Sequence, residues 1–190
     1  MAGKKTLTHL TFRSSAIRAL DGKQSQGFEE LCVQLLPWLV AEQPIERVVR
    51  VDGRGGDGGV EAIAHAASGL CVGLQSKFFS DLGKSQWAQI DKSVKTAMDK
   101  HPELTRYLVC VPLERTPAQI KKWGVLAADW KKLNPTLSVE WVGSSELFGH
   151  LLKPAASHLK TYWFSCPDFS IDWVATQTQV AIGQLHDRYT

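Results

Sequence analysis

Glu61, Gln75 and Lys77 are the residues whose types and spacing could do chemistry together, beneath a glycine-rich stretch, Gly-Arg-Gly-Gly-Asp-Gly-Gly-Val-Glu at 53–61, that carries Asp57. Residues 60–64 and 70–78 both read as β-strands, joined by a small polar turn over 65–69. Side chains alternate across a strand, so Gln75 and Lys77 share one face while Val72, Leu74 and Ser76 share the other. Val72 and Leu74 read as the core face. The spacing therefore brings a carboxylate on one strand beside an amide and an ammonium on its neighbour.

Metal-assisted hydrolysis of a phosphodiester is the chemistry this set suits. Mg²⁺ prefers oxygen ligands and keeps several waters, so one or two carboxylates and a carbonyl are enough. Glu61, Asp57 and the Gln75 carbonyl are the candidate ligands, with the backbone carbonyl of Ser76 beside them. A lysine near the attacking water can help deprotonate it and offset charge gathering on phosphorus. The glycines allow positive φ and a close approach of backbone to phosphate. The plainer alternative is a tight turn followed by an edge hairpin with a solvated lysine. Asp57 is open to two readings, a second metal ligand or a residue shaping the loop through its own backbone. Arg54 could bind a phosphate or stand in solvent.

The elements that must position these residues follow along the chain. Residues 1–24 read as a polar arm, flexible or docking, in which 9–20 could be a strand or short helix. Residues 25–36 read as a helix with Phe28, Leu31, Cys32, Leu35, Leu36 and Leu39 on one stripe, Ser25 as N-cap and Pro37 ending or kinking it. Glu29 borders that stripe and can reach over the core edge towards the hairpin, or serve only the helix dipole. Glu30 is turned further away. A strand at 45–51 precedes the glycine loop. A loop at 80–85 precedes a helix at 87–100, with Trp87, Ile90, Val94, Ala97 and Met98 inward. Lys92 and Lys95 lie outside its stripe and, with Lys84, could track a nucleic-acid backbone or simply be solvated.

Residues 105–112 are continuously apolar, as expected of a central, parallel strand. Thr116-Pro117 opens a helix with Ile120, Trp123, Ala127 and Trp130 inward. A strand at 137–142 and a short helix at 146–152 follow. Alternation of strand and helix in this half implies β-α-β crossovers. Residues 154–168 read as irregular and 169–188 as a final helix. The ending at Arg188-Tyr189-Thr190 reads as a cut from a longer protein.

A chain of 190 residues fits one domain, and 44% hydrophobic with 22% charged residues is ordinary for a globular protein. The net charge of +3 permits a polyanionic partner without requiring one. Cys32, Cys71, Cys110 and Cys166 are widely spaced, with no C-x-x-C pair, which argues against zinc and for a reducing, cytoplasmic setting. No stretch approaches the ~20 apolar residues of a membrane span, and the N-terminus lacks the apolar core of a signal peptide.

Gly-Asp-Gly-Gly-Val-Glu at 56–61 followed by Leu-Gln-Ser-Lys at 74–77 resembles the motif of Mrr-like PD-(D/E)XK nucleases, and Phe28-Glu29 with Leu35-Leu36 resembles their first helix. The resemblance implies an α/β, restriction-endonuclease-like fold, a mixed central sheet flanked by helices. It assigns Glu61 as the metal-binding acid, Lys77 as the catalytic lysine, Asp57 as the loop acid and Glu29 as the helix acid. Gln75 stands where many relatives carry Glu, and Glu61 where the usual residue is Asp. The implied cofactor is Mg²⁺, with Mn²⁺ a substitute, and the implied substrate is DNA, double-stranded by preference. Residues 105–152 and the closing Gln-Leu-His-Asp-Arg-Tyr-Thr are similar to N-terminal nuclease modules of antiviral STAND-type NTPases. That similarity implies a nuclease core at 25–153, a segment at 154–190 leading to the next domain, control by NTPase and sensor regions, and a homo-oligomer when active. The other readings are a nucleic-acid-binding module without catalysis and an oligomerisation module whose tryptophans meet a partner.

Overall fold

Five strands among the described residues form one mixed sheet with helices on both faces. The structure, a computed structural model, describes residues 14–40, 44–51, 58–164 and 178–179. The apolar stripe of the first helix is the buried side of α1 (Gln24–Leu39). Strands β1 (Ile45–Arg50), β2 (Ala62–Ala66) and β3 (Cys71–Ser76) pair antiparallel in sequence order. Helix α2 (Lys84–Lys100) then carries the chain across to β4 (Arg106–Cys110), parallel to β3. Helix α3 (Pro117–Leu133) repeats the crossover to β5 (Ser138–Val142), parallel to β4. Helices α4 (Ser144–Leu151) and α5 (Ser157–Phe164) follow. No helix among the described residues is long and apolar enough to cross a membrane.

Strand alternation splits the core into two layers. Ala62, Ala64, Val72, Leu74, Leu108 and Cys110 face α1, α4 and α5. Ile63, Cys71, Tyr107 and Val109 face α2 and α3, where Trp87, Trp123, Trp130 and Trp141 cluster. Strand β3 is buried on both faces, so Val72 and Leu74 are one of its two core sides rather than the only one. The strand expected to be central and parallel is β4, which is parallel to both neighbours and buried along four of its five residues but lies next to the edge strand β5, the middle place being taken by β3.

Several boundaries differ from the sequence reading, each for a physical reason. Helix α1 runs through Pro37 to Leu39, because Pro37 is exposed in the last turn and Val40 N–H still reaches the Leu36 carbonyl at 3.2 Å. Its N-cap is Lys23, without a side-chain cap, and Ser25 lies inside the helix. The Gln24 amide instead ties back to the carbonyls of Ser15 and Ile17 at 2.9 and 3.1 Å. Helix α2 begins at Lys84, which the reading assigned to a loop, because Gly83 and Gln86 form a capping arrangement there. Thr116 caps α3 as expected, with Pro117 first in the helix, but Ile120 is 52% exposed and outside the buried stripe.

The stretch expected to be irregular after residue 154 contains a 3-10 turn, Pro154–Ala156, and then α5. Leu159 and Trp163, four residues apart, are buried in the α1 layer, and Trp163 Nε1 donates to Gln34 Oε1 at 2.8 Å. The end of the arm is held there too. Ile17 is buried in the same layer, and Arg18 N–H donates to the Trp163 carbonyl at 2.7 Å. Cys32, Cys71 and Cys110 are free and buried. Residues 9–13, Cys166 and the helix expected over 169–188 fall outside the described residues, save that residues 178 and 179 are helical.

The glycine stretch meets α2 with no room for a side chain. Gly59 has φ +82°, and a Cβ there would sit 2.4 Å from the Ser93 carbonyl oxygen and 2.8 Å from the Ala97 nitrogen. The buried Tyr107 hydroxyl donates to the Gly59 carbonyl and fixes the loop from the sheet side. Gly59→Ala should therefore destabilise the domain by about 2–4 kcal/mol, read as a lower urea midpoint, since both the left-handed backbone and a rigid helix backbone oppose the methyl group. An unchanged midpoint would show that the loop moves aside freely.

Candidate functional site

Glu61 immediately precedes β2, at the end of the sheet where β3 finishes. Its backbone is pinned on both sides: its N–H donates to the Leu74 carbonyl at 2.8 Å and its carbonyl accepts from Val51 N–H at 3.0 Å. Beyond Leu74 the carboxylate takes over from the backbone ladder. Ser76 N–H donates to Glu61 Oε2 at 2.9 Å, and Gln75 Nε2 donates to Glu61 Oε1 at 2.6 Å. The chain continues with Lys77, whose N–H bonds to the Cys110 carbonyl at 2.8 Å. The spacing of Glu61, Gln75 and Lys77 along the hairpin thus does bring them to one end of the sheet.

Burial sets the electrostatics. The Glu61 carboxyl is pushed up from 4.5 to about 7, first by desolvation, with the Ser76 hydrogen bond opposing, Glu29 adding repulsion and Lys77 pulling back. Glu29 lies on α1 and Lys77 faces the α2 layer, so the carboxylate stands where both layers can reach it. Cys32, one turn beyond Glu29, is fully buried, and its thiol is held well above the usual range by burial, by its contact with Cys110 and by the fields of Glu61 and Glu29. Glu30 is occupied elsewhere, bonded to Arg50 and accepting from Gln34 Nε2 at 2.8 Å.

Gln75 is 1% exposed, and its Oε1 is a buried acceptor with no hydrogen-bond partner. Such orphaned groups are uncommon and costly. Turning the amide over would set that oxygen against Glu61 Oε1, an arrangement stable only with a proton or a cation between them. A divalent cation fits this requirement. It would meet the carbonyl left unsatisfied and the carboxylate whose charge burial disfavours, both of them oxygen donors suited to Mg²⁺ or Mn²⁺. The Ser76 carbonyl, expected as a neighbouring ligand, receives a long contact from Gln75 Nε2 at 3.4 Å. Among the described residues no three His, Cys, Asp or Glu side chains cluster closely enough to hold a metal. Asp57 and Arg54 fall outside the described residues.

The lysines separate by face. Lys77 and Lys92 line one cleft with Gly58, Gly59, Gln89, Ser93 and Thr96. Lys95 instead pairs with Asp91 at 2.8 Å and borders α3, because Asp91 is turned that way by accepting from Trp130 Nε1 at 2.8 Å. Lys84 is exposed in the first turn of α2 and does not line the cleft. Gln89, Ser93 and Thr96 were not singled out from the sequence. Their signal was there, since residues 89, 92, 93 and 96 follow helical spacing beside the apolar stripe.

The raised Glu61 carboxyl has a consequence for stability. A carboxyl with a folded pKa above its unfolded value favours folding when protonated, and that contribution fades as pH rises through about 7. Glu61→Gln, which keeps an acceptor for Ser76 and removes the charge, should match the wild type below pH ~4.5. Above pH ~8 it should be more stable by about 3 kcal/mol in metal-free urea titrations. Parallel stability profiles for the two proteins would show that Glu61 ionises without cost.

The chain matches no protein-family model and no curated protein sequence, so the chemistry of this site is argued from its own geometry.

Proposed function

We propose that this domain is a divalent-metal-dependent endonuclease that hydrolyses DNA phosphodiesters, built on a restriction-endonuclease-like fold. One observation carries the reading: a buried carboxylate, Glu61, is bonded to Gln75 and Ser76 at the end of the sheet, with Lys77 beside it and an unsatisfied Gln75 carbonyl in the same place. The order of elements supports the fold assignment. A helix, three antiparallel strands and a helical crossover to a parallel fourth strand put the acid before the second strand and the amide and lysine at the end of the third.

Glu61 and the Gln75 carbonyl would hold the cation, with Asp57 from the glycine stretch as a further acid. The cation, when bound, supplies positive charge for phosphoryl oxygens and favours ionisation of water. The chain's own groups do the rest. Lys77 orients the attacking water, accepts or relays its proton, and offsets charge developing on the phosphate. Glu29, whose field already reaches Glu61, orients Lys77 or meets a second ion. In a longer protein, NTPase and sensor regions would assemble copies of this domain so that two sites cut both strands, as an anti-phage effector.

A second reading is favoured by one feature. Gln75 turns its amide nitrogen, not its oxygen, towards Glu61, which suits a domain that binds nucleic acid without cutting it. Plasmid cleavage in Mg²⁺ or Mn²⁺ separates the two. Lys77→Ala and Glu61→Ala should each lower nicking by ~10²–10⁴-fold while circular dichroism shows a folded domain, Glu61→Ala with a lower urea midpoint because Ser76 N–H and Gln75 Nε2 lose their acceptor. Cleavage by both purified variants at the wild-type rate would remove the assignment. DNA binding with no nicking at high wild-type concentration would favour the binding module.

A further inference from the structure

The polar cleft beside Lys77 has a use that the reaction at Glu61 does not absorb. It lies between Gly58–Gly59 and one face of α2, encloses about 370 Å³, and is lined by Lys77, Lys92, Gln89, Ser93 and Thr96. Among the described residues no carboxylate lines it, and no acid stands within ion-pair distance of either lysine ammonium. The one acid on the neighbouring turn, Asp91, is held away by Trp130 and Lys95. The helix thus divides its charges, an ion pair towards α3 and an uncompensated cation with hydroxyl and amide groups towards the cleft.

We propose that this cleft is the track for the DNA strand leading away from the scissile phosphate, with Lys92 as the principal backbone contact and Gln89, Ser93 and Thr96 as hydrogen-bonding partners. The proposal rests on the endonuclease reading above. Gln89 to Thr96 spans about 10 Å at 1.5 Å per residue, room for about two successive phosphates of one strand, whose spacing along the backbone is roughly twice the 3.4 Å axial rise. Lysine, hydroxyl and amide groups spaced along such a length suit successive phosphates of one strand better than a single small anion. Contacts of this kind fix register without reading bases, so the strand is held regardless of sequence. Gly59 has a second consequence here, since its lack of a side chain brings the loop against Ser93 and closes one wall of the track.

Fluorescence anisotropy with a labelled 20-base-pair duplex, in Ca²⁺ to allow binding, tests this directly. Lys92→Glu should weaken binding about tenfold or more, and Lys92→Ala should reduce the slope of log affinity against log salt by about one. The losses should be equal for unrelated duplex sequences. Lys95→Ala, on the other side of the helix, should change affinity less than about twofold. Wild-type affinity in Lys92→Glu, with salt-dependent binding by the wild type, would overturn the track and leave the endonuclease reading standing. Failure of the wild type to bind or cut any duplex would overturn both. Lys92 is exposed, so loss of binding with an unchanged urea midpoint reports on contact rather than folding.

Discussion

The structure turns on a substitution of side chain for backbone at one rung of the sheet. Between β2 and β3 the antiparallel ladder runs as far as Leu74, and the next donor, Ser76 N–H, is satisfied by the Glu61 carboxylate. The hydrogen bond keeps the ladder's end from fraying and fixes the carboxylate in a buried place. That same burial disfavours its charge. A surface glutamate would have ionised freely and bonded water, whereas burial lets this one keep its proton up to about pH 7 and favours a positive group beside it. The hairpin is therefore an unsatisfied electrostatic arrangement as well as a piece of sheet.

Three elements keep it so. Helix α1 excludes water from one side through Phe28, whose ring packs on Phe78 with centroids 5.5 Å apart, and places Glu29 at the rim. The α2 layer encloses the other side, with Lys77 lining its cleft. Tyr107, from β4, holds the glycine loop by its carbonyl. A carboxylate repelled by Glu29 and attracted by Lys77 sits in a field directed across the end of the sheet. The acids thus meet that end from the α1 side and the lysines of the cleft from the α2 side.

Much of this was legible in the sequence, and what was not has definable causes. Period-two alternation found the hairpin, and the Gln75–Lys77 spacing put both on one face. The apolar run at 105–112 marked a buried parallel strand, though not the middle one, and Thr116-Pro117 marked the start of α3. Pro37 misled because a proline's effect depends on its depth in a helix, and here only Trp38 and Leu39 lie beyond it. Ile120 misled because α3 uses two large tryptophans, Trp123 and Trp130, to cover its layer, leaving Ile120, one turn before Trp123, in solvent. Helix α5 was hidden because only Leu159 and Trp163 are buried on it, too few to make a periodic stripe. The glycines were read as making room for a phosphate. For Gly58 and Gly59 the crowding by His101, Ser93 and Ala97 supplies a reason within the fold itself.

The division of charge on α2 was beyond sequence reasoning, and it changes how basic residues should be weighed. Lys92 and Lys95 are three residues apart and look equivalent in a list of cations. A single tertiary contact, from Trp130 to Asp91, decides between them. It turns the acid towards α3, the acid draws Lys95 with it, and Lys92 is left alone beside Lys77. Exposed ion pairs such as Asp91–Lys95 contribute little stability. The energetic reason for that pair lies in the buried Trp130 indole, which needs an acceptor in an apolar layer. A constraint of core packing thereby sets the polarity of a surface groove. The net charge of +3 is too small to imply a polyanion partner by itself; what the packing decides is that Lys77 and Lys92 share one cleft while Lys95 does not.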